Sequence, residues 1–171
     1  VDSMRASISL AFHVDGVVNR HDCRIWAHEN PHATMAKCFN SPKVNVWIGM
    51  SSRHLIGPFF FDENVSKENY FNMLSTFLIP EMKRLRIFRS SVFQQDGAPP
   101  HWGLEVRQLL NVNFPGRWWG RDEPINWSAR SPDLSPLDFF VWGYLRDNVY
   151  GTPIADIQEL KSRIYEECIK L

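Results

Sequence analysis

The chain has 171 residues, 44% hydrophobic and 13% aromatic, with seven Trp and twelve Phe. That length and apolar content suit one domain with a real core and exclude a disordered or low-complexity chain. Lys plus Arg and Asp plus Glu number 19 each, so the net charge is zero and bulk electrostatics does not point to nucleic acid as a basic domain would.

Residues 7–14, Ser-Ile-Ser-Leu-Ala-Phe-His-Val, read as a strand, and Asp15-Gly16 is a hairpin signal. Residues 43–50 alternate as a second strand, and 54–61 form a third, broken at Gly57-Pro58. From Ser66 the period changes: Tyr70, Met73, Leu74, Phe77 and Leu78 share a helical face, with Ser66 as N-cap and Pro80 as a kink. Residues 91–95 make a short strand ending at Asp96-Gly97. Pro99-Pro100 then opens a helix on which Trp102, Val106, Leu109 and Leu110 share a face. Residues 113–130 are irregular and rich in Arg and Trp, with 124–127 as a weak strand. Ser135-Pro136 starts a helix carrying Leu137, Phe140, Val141, Tyr144 and Leu145, and a last amphipathic helix shows Ile157, Leu160, Ile164 and Cys168. This order predicts a mixed α/β sheet with helices on its faces, in a single domain over 1–171.

The three cysteines, Cys23, Cys38 and Cys168, show no zinc or CxxC spacing, which suits a reduced intracellular chain. No leader and no bilayer-length apolar run is present, so a soluble chain without a membrane partner is expected. The first residue is not Met and the last helix has no terminator, as expected of a fragment.

Two acids stand where backbone elements meet. Asp96 lies where a strand ends and a helix begins, the edge at which α/β sheets present ligand groups. An Asp-Gly pair taken alone is more often a solvated turn. Asp138, three residues after Ser135, equally suits a first-turn acid complementing the helix dipole, and Asp133 suits a turn. Between the two acids, Arg117, Trp118, Trp119, Arg121 and Arg130 form an aromatic and basic cluster. It suits phosphate contacts and base stacking, or Trp rings packed on a core beneath Arg stems.

The segments Gln-Gln-Asp96-Gly-Ala-Pro-Pro-His, Arg117-Trp-Trp-Gly-Arg121 and Arg130-Ser-Pro-Asp-Leu-Ser-Pro-Leu-Asp138-Phe-Phe-Val-Trp-Gly closely resemble the catalytic domain of mariner-type transposases of the Tc1/mariner superfamily. Upstream pieces fit as well, among them Val18-Asn-Arg-His, Arg24-Ile-Trp and Gly57-Pro-Phe-Phe-Phe. The resemblance runs from about residue 7 to the end. It implies an RNase H-like fold and a triad of acids (a DDE/DDD site) holding two Mg²⁺ or Mn²⁺ ions for DNA cleavage and transfer. Asp96 matches the second acid and Asp138, not Asp133, the third; 41 residues separate them.

The first acid of the family falls at Ile8, and the Glu beside it at Ser9. The resemblance therefore implies a degenerate transposase domain, impaired in metal binding and catalysis. The rival expectations are a non-catalytic remnant or domesticated DNA-binding or protein-interaction module, and a working nuclease completed by Asp15 or Asp2. DNA transposon ends and a homodimer are the partners the family implies, with the nucleus as location. The family's N-terminal helix-turn-helix region is absent from these residues.

Overall fold

The sheet is organised around one strand. The structure, a computed structural model, describes residues 3–6, 10–16, 41–120 and 137–171. In β3 (Lys43–Met50), Val44, Val46 and Ile48 enter one apolar cluster and Trp47 the other, all four buried. A strand covered on both faces needs apolar side chains on both.

Strand β4 (Leu55–Phe61) runs antiparallel along one edge of β3. The other edge receives β1 (Ser3–Ala6) at Met50 and β2 (Leu10–His13) at Lys43. β1 also pairs in parallel with β5 (Val92–Gln94), and β5 with β6 (Trp118–Trp119). The result is one six-stranded mixed sheet, as expected.

Several details depart from the sequence reading. The single strand expected over 7–14 is found as β1 and β2, whose registers on β3 differ by one residue: Ala6 faces Gly49, but Leu10 faces Val46. β1 has no alternating pattern and is held by its pairing with two distant strands. β4 is not broken at Gly57-Pro58. It continues through a register shift opposite 47–49, and Gly57 takes φ +110°, where an added Cβ would stand 3.0 Å from the Trp47 carbonyl oxygen. The turn at Asp15-Gly16 forms, with Gly16 at φ +72° and its N–H donated to His13 O at 3.1 Å.

Ser66 caps α1 (Lys67–Met73) in a reciprocal box, accepting from Asn69 N–H at 3.2 Å while Asn69 Oδ1 accepts from Ser66 N–H at 2.7 Å. A π-helical turn over Leu74–Leu78 joins α1 to α2 (Ile79–Arg84). Pro80 thus falls inside a continuous helical stretch, just after the π-helical turn that accommodates its missing N–H, and the chain remains helical past it.

After β5 a 3₁₀ turn, Pro99–Trp102, precedes α3 (Leu104–Asn113), the break falling at Gly103. The break separates Trp102 from the buried face of Val106 and Leu110: Trp102 is 39% exposed, with the Arg107 guanidinium over its ring at 5.2 Å. A second π-helical turn, Leu137–Val141, leads into α4 (Trp142–Val149), and Asp156 caps α5 (Ile157–Ile169) by accepting from Glu159 N–H at 2.8 Å. Phe140, expected on the packed face, is 49% exposed.

The helices cover both faces of the sheet. Tyr70, Met73, Leu74, Leu78, Val106 and Leu110 pack with Trp47, Ile56 and Phe93 on one side. Leu137, Val141, Trp142, Leu145, Leu160 and Ile164 pack with Phe12, Val44, Val46 and Ile48 on the other. Two polar devices lock the first side. The Tyr70 hydroxyl donates to Gln95 Oε1 at 3.1 Å, joining α1 to the end of β5. Arg117 Nη1 donates to the carbonyls of Phe88, Arg89 and Ser91 at 3.2, 3.1 and 2.7 Å, closing the turn before β5.

Tyr70→Phe leaves Gln95 Oε1 buried without its donor and should lower the unfolding free energy by about 1–3 kcal/mol, read by urea denaturation. Arg117→Met, which keeps the stem and removes the donors, should cost about 2 kcal/mol or more by the same measurement. A change within about 0.5 kcal/mol of zero, the usual surface value, would remove either contact from this account.

Candidate active site

β5 delivers its polar residues to opposite faces. Phe93 and Gln95 turn toward the α1 and α3 side, as the Tyr70 hydrogen bond shows. By alternation Gln94 turns the other way, toward the layer of the 137–149 helix. Gln94 is 5% exposed and its Oε1 is buried without a hydrogen-bond partner.

Asp96 follows two residues beyond the end of β5. Its Oδ1 accepts the Ala98 backbone N–H at 3.0 Å, a local turn of the kind Asp makes readily. Nδ1 of His101 stands 2.7 Å from the same oxygen, close enough for electrostatics but off the line of an aligned hydrogen bond. The other oxygen, Oδ2, is buried and has no partner. A carboxylate oxygen left so is costly unless something else satisfies it.

His101 is 1% exposed and fixed from three directions. Its ring stacks on Tyr70 at 4.0 Å between centroids, 24° from parallel. Its N–H donates to Ala98 O at 2.9 Å, and its carbonyl accepts from Gln95 Nε2 at 2.9 Å. Burial, with Asp96's charge adding to it, holds the Tyr70 hydroxyl well above its ordinary pKa, so Tyr70 remains a neutral donor to Gln95. The Trp47 indole N–H opposes that shift in part, though Nε1 makes no aligned hydrogen bond.

The backbone of Asp138 lies in the π-helical turn Leu137–Val141. Leu137 and Val141, on either side of it, are buried against the sheet face that Gln94 shares by alternation. The helix carrying the second predicted acid therefore belongs to that face. Ile8, Ser9, Asp2, Asp133, Arg121 and Arg130, and the weak strand over 124–127, lie outside the described residues.

Asp15 does not complete the site. Arg5 pairs with both Gln94 and Met50, whereas His13 pairs with Lys43, seven residues further along β3. At about 3.3 Å per residue that puts Asp15, beyond His13, on the order of 20 Å along the sheet from the end of β5. Among the described residues no three His, Cys, Asp or Glu side chains converge as a metal set, and no helix is long and apolar enough to cross a membrane.

Within the aromatic and basic cluster, the packed alternative applies to two members. Trp118 is 5% exposed and donates its Nε1–H to Asn111 Oδ1 at 2.9 Å, and Arg117 is bound to backbone carbonyls. Trp119 is half-buried and its carbonyl accepts Gln95 N–H at 3.1 Å, so β6 borders the end of β5. The Tyr70–Gln95–His101 support was not anticipated. Its sequence signals were a Tyr, with its polar hydroxyl, on an otherwise apolar helix face and a Gln at the end of a predicted strand.

Comparison with solved structures places this architecture. The Mos1 mariner paired-end complex with Mg matches with TM-score 0.73 and 16% identity, over 99% of this chain and 48% of that one. The Mos1 transposase paired-end complex with left transposon end matches at TM-score 0.71 and 16% identity, over 98% and 48%. The isolated catalytic domain of Mos1 mariner transposase matches at 0.58 and 19%, over 75% and 69%. No protein-family model and no curated protein matches the chain. The chain spans about half the length of the transposase chains of those two complexes. At these identities the likeness is one of fold: the chain has the RNase H-like α/β architecture of the Mos1 transposase catalytic domain.

Proposed function

We propose that this chain is the catalytic domain of a mariner-type DNA transposase whose triad has lost its first acid at Ile8. The observation that carries the reading is Asp96. It is the acid of the Gln-Gln-Asp-Gly motif, stands at the carboxyl end of β5 beside parallel β1, and has a buried oxygen, Oδ2, without a partner. The shared fold supports it, as do the solved Mos1 structures with transposon-end DNA, with Mg and with Mn.

The residues fit a divalent metal. Oδ2 is a hard oxygen of the type Mg²⁺ and Mn²⁺ prefer, and Asp96 with Asp138 would hold the ions. When bound, two such ions activate a water or 3′-hydroxyl and stabilise the leaving oxygen at phosphorus. The chain's own part is to hold Asp96 at the sheet edge, keep Oδ2 from other donors, and place the α4 layer over the same face. With Ile8 in the first position, two carboxylates face two dications, and transition-state stabilisation falls. DNA is the substrate on this reading, bound at the sheet edge near Trp119, with Arg121 and Arg130 proposed as contacts from their place in the motif alone, and the nucleus is the place of action. The rival, a non-catalytic remnant that still binds DNA or a second copy, is favoured by Ile8 itself.

Mn²⁺-dependent nicking of DNA carrying the cognate repeats separates the two. The natural chain should remain at background, and Ile8→Asp should gain nicking that Asp96→Asn then abolishes. Nicking by the natural chain that survives Asp96→Asn would contradict the proposed site.

A further inference from the structure

His101 is connected to everything that holds Asp96 in place, yet on the reading above it is no metal ligand. A carboxylate on a short side chain turns freely about its last bond, whose torsional profile is broad. A metal-binding Asp therefore needs neighbours that decide which oxygen faces the ion. Outer groups that hydrogen-bond a ligating carboxylate commonly do this and strongly affect metal affinity.

At Asp96 the division between the two oxygens is complete. Oδ1 takes the Ala98 N–H at 3.0 Å and faces His101 Nδ1 at 2.7 Å, while Oδ2 is buried with no partner. Nδ1 makes no aligned hydrogen bond, and Asp96 Oδ1, at 2.7 Å, is the polar atom it faces. The ring has no freedom to leave: it is 1% exposed, stacked on Tyr70, and tied through its own carbonyl to Gln95, which Tyr70 also holds. A His that served packing alone would have no need to direct a nitrogen at a carboxylate.

We propose that His101 is a positioning residue: it engages Asp96 Oδ1 and thereby reserves Oδ2 as the one oxygen of this acid that binds metal. The inference rests on the metal-centre reading above and adds the residue that orients the acid. It also implies that this half of the site is assembled before metal arrives, independently of what stands at position 8.

The test uses Mn²⁺ alone as the probe, with binding read from the electron paramagnetic resonance signal of free Mn²⁺ and folding from the melting temperature in EDTA. The proteins are the natural chain and its Ile8→Asp form, each with His101→Asn, His101→Gln or Asp96→Asn. Asn can present an N–H where Nδ1 stands; Gln places its amide nearer the far ring nitrogen. His101→Gln should weaken Mn²⁺ binding about 10–100-fold, whereas His101→Asn should retain most of it at a similar melting temperature. The inference is overturned if both variants bind like the parent, or if both lose binding equally and in step with melting temperature, since packing alone would do that. If Mn²⁺ binds neither parent, or binds them unchanged by Asp96→Asn, the metal-centre reading fails and takes this inference with it. Loss in Asp96→Asn without a difference between Asn and Gln at 101 defeats the inference alone.

Discussion

A buried chain of polar contacts runs from the α1 face of the core to the edge of the sheet, and the candidate site depends on it. Tyr70 donates to Gln95, Gln95 donates to the His101 carbonyl, and the His101 ring stacks back on Tyr70 while facing Asp96. Each member is buried where an unpaired polar group would be costly, so the pieces are mutually required. The consequence is a carboxylate presented with one oxygen engaged and one in reserve. It is anchored in α1 through Tyr70, in Gln95 directly after β5, and in the 3₁₀ turn that carries His101, all three side chains buried in the main core. Packed support of this kind keeps a site in a defined geometry.

The sheet supplies the second constraint. Because β3 is covered on both faces, side chains that leave β5 in opposite directions enter two different layers. Gln95 serves the supporting layer and Gln94 faces the layer that carries the backbone of Asp138. Parallel pairing of β1 with β5 brings the first strand alongside the Asp96 edge, whereas Asp15 is carried away toward the far end of β3. Topology thus decides which acids can meet, and it removes Asp15 as a replacement for the family's first acid.

Much of this was legible in the residues. β3 and β4 were readable from apolar runs, the α1 start from Ser66, and α5 from its spacing, because each is a local pattern. β1 and β6 were not. Four residues of Ser-Met-Arg-Ala and two tryptophans form strands here only because distant strands offer them hydrogen bonds, a non-local effect that periodicity does not carry. Trp102 was misassigned for a related reason: the pattern assumed one continuous helix, and the break at Gly103 rotates that side chain away from the core. In the site, the motif pointed to Asp96, but the Tyr70–Gln95 bond and the bonds of Arg117 to the turn before β5 join residues 25 or more apart in sequence. The aromatic and basic cluster is a composite that composition could not divide: Arg117 and Trp118 belong to the core, whereas Trp119 borders the site.

The central claim is that Asp96 is a surviving metal-holding acid of a transposase-type site. Anomalous diffraction from crystals of the natural chain soaked in Mn²⁺ tests it most directly. The account predicts an anomalous peak in coordination contact with Asp96 Oδ2 and not Oδ1, on the side facing the Asp138 helix. Manganese bound elsewhere, or an Asp96 carboxylate that remains metal-free while Mn²⁺ occupies other carboxylates, would contradict it.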